Sequence, residues 1–143
     1  MKIITWNINS VRIRIDQLSE VINELDPDVI CLQETKCDNK NFPIREIQSL
    51  GYKYIAINGQ PSYNGVAILS RLKFTEILNK DFYNKNDCRY IGAKFKYPKV
   101  KNDLLVHNFY VPAGGDEPDP DINAKFLHKL ELLDEMDSYL KEK

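Results

Sequence analysis

A chain of 143 residues with 43% hydrophobic and 29% charged residues has enough apolar material for one core and enough charge to stay in water. Lys and Arg number 20 against 21 acidic residues; the net charge of −1 gives no sign of the strongly basic surface usual in nucleic-acid binders, which is weak evidence against DNA and leaves room for a local grip on phosphate. Cys31, Cys37 and Cys88 form no Cys-x-x-Cys pair, which argues against a disulfide framework or zinc site and fits a reducing cytoplasm; the opening residues lack a signal-peptide pattern, and no apolar run predicts a membrane span.

In chain order, Lys2 to Trp6 read as a short strand that ends at the polar cluster Asn7, Asn9 and Ser10. Leu18, Val21, Ile22 and Leu25 follow helical spacing behind Asp16, which reads as the cap, and Asp26-Pro27 ends the pattern. Val29 to Leu32 is a continuous apolar run of the kind found in strands covered on both faces, and it leads directly into Gln33-Glu34-Thr35-Lys36. Pro43 opens a second short helix with Ile44, Ile47 and Leu50 on one side and Gly51 at its stop. Tyr52 to Ile57, Val66 to Leu69, Tyr90 to Tyr97 and Leu104 to Val111 read as strands, the later ones mostly as hairpins. Phe126, Leu130, Leu133 and Leu140, with Met136 beside them, predict the apolar stripe of a terminal helix. No repeat, low-complexity tract or linker interrupts the chain, so the class is α/β.

Two clusters carry candidate chemistry. Asn7 and Glu34 are each expected just past the C-terminal end of a strand, where α/β sheets commonly bind ligands. A carboxylate beside an amide is a plausible partial site for Mg²⁺, a hard cation that keeps several waters and takes few protein ligands. On spacing alone an Asn-rich turn and an exposed loop Glu are the simpler explanation of these residues. The second cluster is Asn108 to Gly115, where alternation places Leu104, Val106, Asn108 and Tyr110 on one strand face and His107 on the other. A phenol at that strand end suits hydrogen bonding to phosphate, while the ordinary reading is a core Tyr with its hydroxyl in water.

His107, facing away from Tyr110, and His128, read onto the exposed side of the terminal helix, are poor general bases. Arg12, Lys36, Arg71 and Arg89 are candidate phosphate contacts, although scattered basic residues are usually solvated surface. Asp116 to Asp121 reads as a stiff, solvated acidic loop.

Met1-Lys-Ile-Ile-Thr-Trp-Asn-Ile-Asn-Ser-Val-Arg12, Pro27-Asp-Val-Ile-Cys-Leu-Gln-Glu-Thr-Lys36, Tyr63-Asn-Gly-Val-Ala67 and Tyr110-Val-Pro112, taken in this order, resemble the exonuclease III family of apurinic/apyrimidinic endonucleases, within the endonuclease/exonuclease/phosphatase superfamily. The resemblance implies one half of a four-layer α/β sandwich, a mixed β-sheet flanked by helices, and assigns residues 1–143 to the N-terminal half of one such domain. It implies Asn7 and Glu34 as metal-site residues for Mg²⁺, with Mn²⁺ as a substitute, and Tyr110 as the catalytic-site Tyr on the scissile phosphate. It further implies DNA-binding positions at Asn9, Arg12, Lys36, Tyr63, Asn64 and Arg89. The implied reaction is hydrolysis of DNA phosphodiesters at 3′ ends or abasic sites, on double-stranded DNA.

The chain departs from that pattern in two respects. Ala113 stands where the family commonly has Asn or Gln, and no Gly-Asp-x-Asn or Ser-Asp-His segment follows Tyr110. In the family those segments handle the nucleophilic water and the leaving group. The sequence therefore predicts that a second half would supply the other sheet, and that without it one inner sheet face lies bare. The isolated chain is expected to be unstable, to self-associate or to pair with a separately encoded C-terminal half, the alternative being an inactive remnant. A lipid- or inositol-phosphate branch of the superfamily is disfavoured by the opening through Arg12.

Overall fold

The computed structural model describes residues 1–98, 101 and 103–142. The chain divides into two compact units: Met1–Lys80 with Asp87–Tyr110, and Asp81–Asn86 with Val111–Lys143.

The first unit begins with strand β1 (Ile3–Asn7), helix α1 (Ile15–Leu25) and strand β2 (Val29–Gln33). β1 and β2 pair in parallel, from Ile3 opposite Val29 to Asn7 opposite Gln33, so the helix is a crossover and both strands end on the same side of the sheet. Helix α2 (Ile44–Ser49) and strands β3 (Tyr54–Asn58) and β4 (Val66–Ser70) follow, giving a sheet of order β1-β2-β4-β3 in which β4 runs antiparallel to both neighbours. Strands β5 (Phe74–Leu78), β6 (Tyr90–Phe95) and β7 (Leu104–Phe109) form a separate antiparallel sheet.

Each face of the first sheet has its own core. Leu18 and Ile22 of α1 and Ile47 of α2 pack with Ile30, Leu32, Ala67 and Leu69, and Ile4 and Trp6 turn toward the same side. On the opposite face Val29, Cys31, Ala56, Val66 and Ile68 meet Ile91, Ala93, Phe95 and Val106 of the second sheet. The period-two alternation of β2 and β4 thus serves both cores, and for that reason both strands read as unbroken apolar runs.

This arrangement corrects the expectation of a bare inner face. The second sheet belongs to this chain, because the apolar faces of β6 and β7 fold back over β2, β3 and β4 instead of extending the first sheet. The exposed remainder is at the margin: Ile3 on edge strand β1 is 42% exposed. Burial in that core also pushes the Cys31 thiol up to about 11.

Two local readings also change. Asp16 lies inside the first turn of α1 and Arg14 is at the cap, while Asp26 closes the helix in a left-handed conformation that returns its N–H to Ile22. Pro43 stands at the start of α2 as expected, in the N-cap position. β5 carries no apolar alternation: it is an edge strand with Thr75, Glu76 and Ile77 exposed, so burial patterning leaves no trace in its sequence.

In the second unit, helix α3 (Ala124–Lys141) is capped by the Asn123 side chain, which accepts from the N–H groups of Lys125 and Phe126 at 3.0 and 3.3 Å. Its buried residues are Leu132 and Tyr139, with Tyr139 edge-on to Phe82 at 5.7 Å. Leu130 and Leu140, expected on the apolar stripe, are exposed, and His128 is half-buried rather than on the open side. Apolar residues are distributed around this helix, so spacing alone does not identify its packed face.

Candidate active site

The parallel pairing of β1 and β2 delivers Asn7 and Glu34 to the same end of the sheet. Asn7 Nδ2 donates to Glu34 Oε1 at 2.8 Å, and the Tyr110 hydroxyl donates to that same oxygen at 2.6 Å. Lys36 Nζ lies 3.3 Å from Glu34 Oε2 and donates to Asn9 Oδ1 at 2.5 Å. The structure therefore gathers Asn7, Asn9, Glu34, Lys36 and Tyr110 around one carboxylate.

Backbone hydrogen bonds hold the three contributing loops together. Ser10 and Val11 donate to the carbonyls of Glu34 and Thr35 at 2.8 and 3.1 Å, and Thr35 and Lys36 donate to those of Gly65 and Asn64 at 3.1 and 2.9 Å. Asn9, Glu34, Lys36 and Asn64 all have positive φ, between 47 and 54°, a region Asn enters readily but which for Glu34 and Lys36 requires support from their surroundings. Gly65 sits at φ +87, and a Cβ there would run into Thr35 Oγ1.

The electrostatics follow from these contacts. The hydrogen bond from Asn7, then that from Tyr110, and the nearby Lys36 ammonium hold the Glu34 carboxyl below its ordinary value against a smaller opposing effect of burial. Tyr110 moves upward, through burial first and then its bond to anionic Glu34, so the phenol stays a proton donor. Arg89 stacks over the Tyr110 ring at 4.7 Å, donates to its carbonyl at 3.3 Å and pairs with Asp87. Its guanidinium thus braces Tyr110 rather than standing open.

The remaining expected positions are at the periphery. Tyr63 is 62% exposed beside Asn64, and Arg12 is exposed next to Val11. Arg71 lies away from the cluster and pairs with Asp26 at 2.6 Å. His107 points to the outer face of β7, 3.0 Å from the Tyr90 hydroxyl, as its alternation requires.

One supporting group escaped the sequence reading. Asn108 is 2% exposed; its Nδ2 donates to the carbonyls of Leu32 and Ala67, both at 2.9 Å, and its Oδ1 accepts from Gln33 Nε2 at 2.7 Å. The amide ties β7 to β2 and β4 immediately beneath Glu34 and Tyr110. The available signal was a polar residue on the inward face of an otherwise apolar strand.

Glu34 brings one negative charge, and Asn7 has an amide oxygen that here accepts from the Asn9 N–H at 3.2 Å while its Nδ2 faces Glu34; with that oxygen turned to the carboxylate, the pair suits a hard cation such as Mg²⁺. Among the described residues no three His, Cys, Asp or Glu side chains come together, so protein groups would fill only part of the coordination shell.

Residues 4–141 match the Endonuclease/Exonuclease/phosphatase family. The chain is 31% identical to exodeoxyribonuclease III of Haemophilus influenzae over 99% of its own length and 52% of that protein's. Its fold is similar to the 3′ phosphatase NExo from Neisseria, solved with a product DNA hairpin, at 29% identity and TM-score 0.84, covering 99% of this chain and 52% of that one. It is also similar to an AP endonuclease from Archaeoglobus fulgidus, at 31% identity and TM-score 0.80, covering 98% and 51%. The chain thus spans about half the length of these three relatives.

Proposed function

The chain belongs to the Endonuclease/Exonuclease/phosphatase family, and from that premise we propose that it is the N-terminal half of an exonuclease III-type DNA-repair phosphodiesterase, a Mg²⁺-dependent hydrolase of DNA 3′ ends and abasic sites. The observation that carries this reading is the convergence of Asn7 and Tyr110 on one oxygen of Glu34.

In this reading Glu34 and Asn7 hold the metal, which when bound supplies positive charge against the phosphate. Glu34 reaches neutral pH as an anion because its two donors favour that form. Tyr110, protonated and braced by Arg89, offers its hydroxyl to a phosphate oxygen in exchange for Glu34. Lys36 balances the carboxylate and, with Asn9, Arg12, Tyr63 and Asn64, faces the DNA backbone. Arg89 acts chiefly through Tyr110.

No group in the described residues is assigned as general base: His107 faces the opposite side of β7. We therefore assign that role to a companion C-terminal half carrying the Gly-Asp-x-Asn and Ser-Asp-His segments. The second reading, an inactive remnant or one part of a split enzyme with residual metal or DNA binding, draws its support from the half-length match. No helix among the described residues is long and apolar enough to cross a membrane, and a cytoplasmic setting remains the proposal.

The test is Mg²⁺-dependent cleavage of a duplex with one abasic site by the purified chain, alone and mixed with a matching C-terminal half. Cleavage only in the mixture, lost in Glu34→Ala, is the expected result. Cleavage by the chain alone would overturn the requirement for a partner, and none in either case would leave the remnant.

A further inference from the structure

We propose that Glu34 Oε1 is a point of competition between a divalent cation and the donors that serve phosphate, so that taking up the cation turns Tyr110, Asn9 and Lys36 over to the phosphate. This rests on the metal-dependent reading above and adds to it a coupling between the two ligands.

The hydrogen bonds at the carboxylate and a cation at the same oxygen exclude one another. Oε1 accepts from Asn7 Nδ2 at 2.8 Å and from the Tyr110 hydroxyl at 2.6 Å, two donors for the two lone pairs of one oxygen. A cation shared by Glu34 and Asn7 coordinates through oxygen lone pairs, and hydrogens already point along those of Oε1. Asn7 faces Oε1, so the shared position is the one that Tyr110 fills. The other carboxylate oxygen offers no easier entry, because Lys36 Nζ stands 3.3 Å from Oε2.

Admitting the cation therefore moves three groups. The Asn7 amide turns over about its last torsion, a broad sp³–sp² rotation, and brings Oδ1 to the carboxylate. That oxygen accepts from the Asn9 N–H at 3.2 Å, so the turn leaves this N–H without its acceptor. The Tyr110 hydroxyl loses its place on Oε1. Lys36, which also donates to Asn9 Oδ1 at 2.5 Å, meets a second positive charge beside its own.

Each displaced group is a hydrogen-bond donor, and all three converge on this one carboxylate, so an anionic phosphate oxygen is the acceptor that suits them together. Arg89, stacked on the Tyr110 ring at 4.7 Å, keeps the phenol in place once its bond to Glu34 is gone. The coupling is reciprocal: a phosphate that captures these donors favours the cation to the same degree.

The experiment is a titration of the isotope-labelled 143-residue chain with MgCl₂ and no nucleic acid, read at the Glu34 carboxyl carbon, the Tyr110 Cζ and the Asn9 amide. All three should move with one Kd. Tyr110→Phe, which keeps the ring and loses only the competing hydroxyl, should bind Mg²⁺ about three- to tenfold more tightly. With a short duplex carrying one abasic site, the affinity gained on adding Mg²⁺ should be smaller for Tyr110→Phe than for the native chain. Movement at Glu34 with Tyr110 and Asn9 unmoved would overturn the competition and leave the metal-dependent reading standing. Unchanged or weaker Mg²⁺ binding by the variant would do the same, as would an equal gain in both proteins, since charge alone would then couple the ligands. No movement at any of the three signals would remove both proposals.

Discussion

The Tyr110 hydroxyl and the Asn7 amide donate to the same oxygen of Glu34, at 2.6 and 2.8 Å, although Tyr110 lies 76 positions from Glu34 in the chain. Both bonds favour the ionised carboxylate, and Asn7 has the larger effect on its acidity. Asn7→Ala should therefore raise the Glu34 pKa more than Tyr110→Phe does, each moving it toward the ordinary carboxylate value. A carbon-13 titration of the Glu34 carboxyl measures this directly, and an unmoved titration in both variants would sink the account.

The same depressed pKa makes stability depend on pH with a definite sign. A carboxyl that is more acidic folded than unfolded stabilises the fold above its ordinary pKa and loses that contribution as pH falls through the folded value. Urea midpoints of the native chain and Glu34→Gln should differ most at neutral pH and converge in acid. A gap that widens in acid would show that Glu34 is not held as an anion.

Asn108→Leu should be far more damaging than its size suggests. The replacement leaves the carbonyls of Leu32 and Ala67 without their buried donor, whereas Gln33 Nε2 keeps the Thr5 hydroxyl at 2.9 Å. At about 1 to 3 kcal/mol for each buried group left unsatisfied, a loss on the order of 3 kcal/mol is expected from urea denaturation. A loss below about 1 kcal/mol would mean that solvent already reaches the clamp.

Gly65→Ala and Gly51→Ala separate backbone strain from steric contact. Both glycines have positive φ, +87 and +96, but an added Cβ meets nothing within 4 Å at Gly51 and Thr35 Oγ1 at Gly65. Gly51→Ala should cost about 1 kcal/mol and Gly65→Ala clearly more, seen as a larger drop in the melting temperature. Equal drops would deny the contact.

Much of this site was legible because the sequence writes it at strand ends. A strand that stops at Asn7 and an apolar run that ends before Glu34 meet side by side once the intervening helix makes the pair parallel. The alternation of β7 placed Tyr110 on the inner face and turned His107 outward, while the role of Tyr110 came from the family resemblance of Tyr110-Val-Pro112. The second sheet was not legible as a separate layer: a hairpin looks the same in sequence whether it extends a sheet or folds over it. Arg89 was read as facing DNA, yet its stacking on Tyr110 depends on the register that sets Tyr90 opposite Phe109, which one strand alone cannot reveal. The buried face of α3 was misread because Leu132 and Tyr139 compete with equally apolar residues on its other sides.

Trp6 turns toward the core on the helix side of β1, one residue before Asn7, and it is the chain's single tryptophan. Indole emission from this protein therefore originates at one point, at the foot of the carboxylate centre. Titrating Mg²⁺ or a duplex while exciting only that chromophore would follow occupancy of the neighbouring site without a label. The same signal during denaturation would report when β1 leaves its partner, so a single optical channel covers both ligation and unfolding.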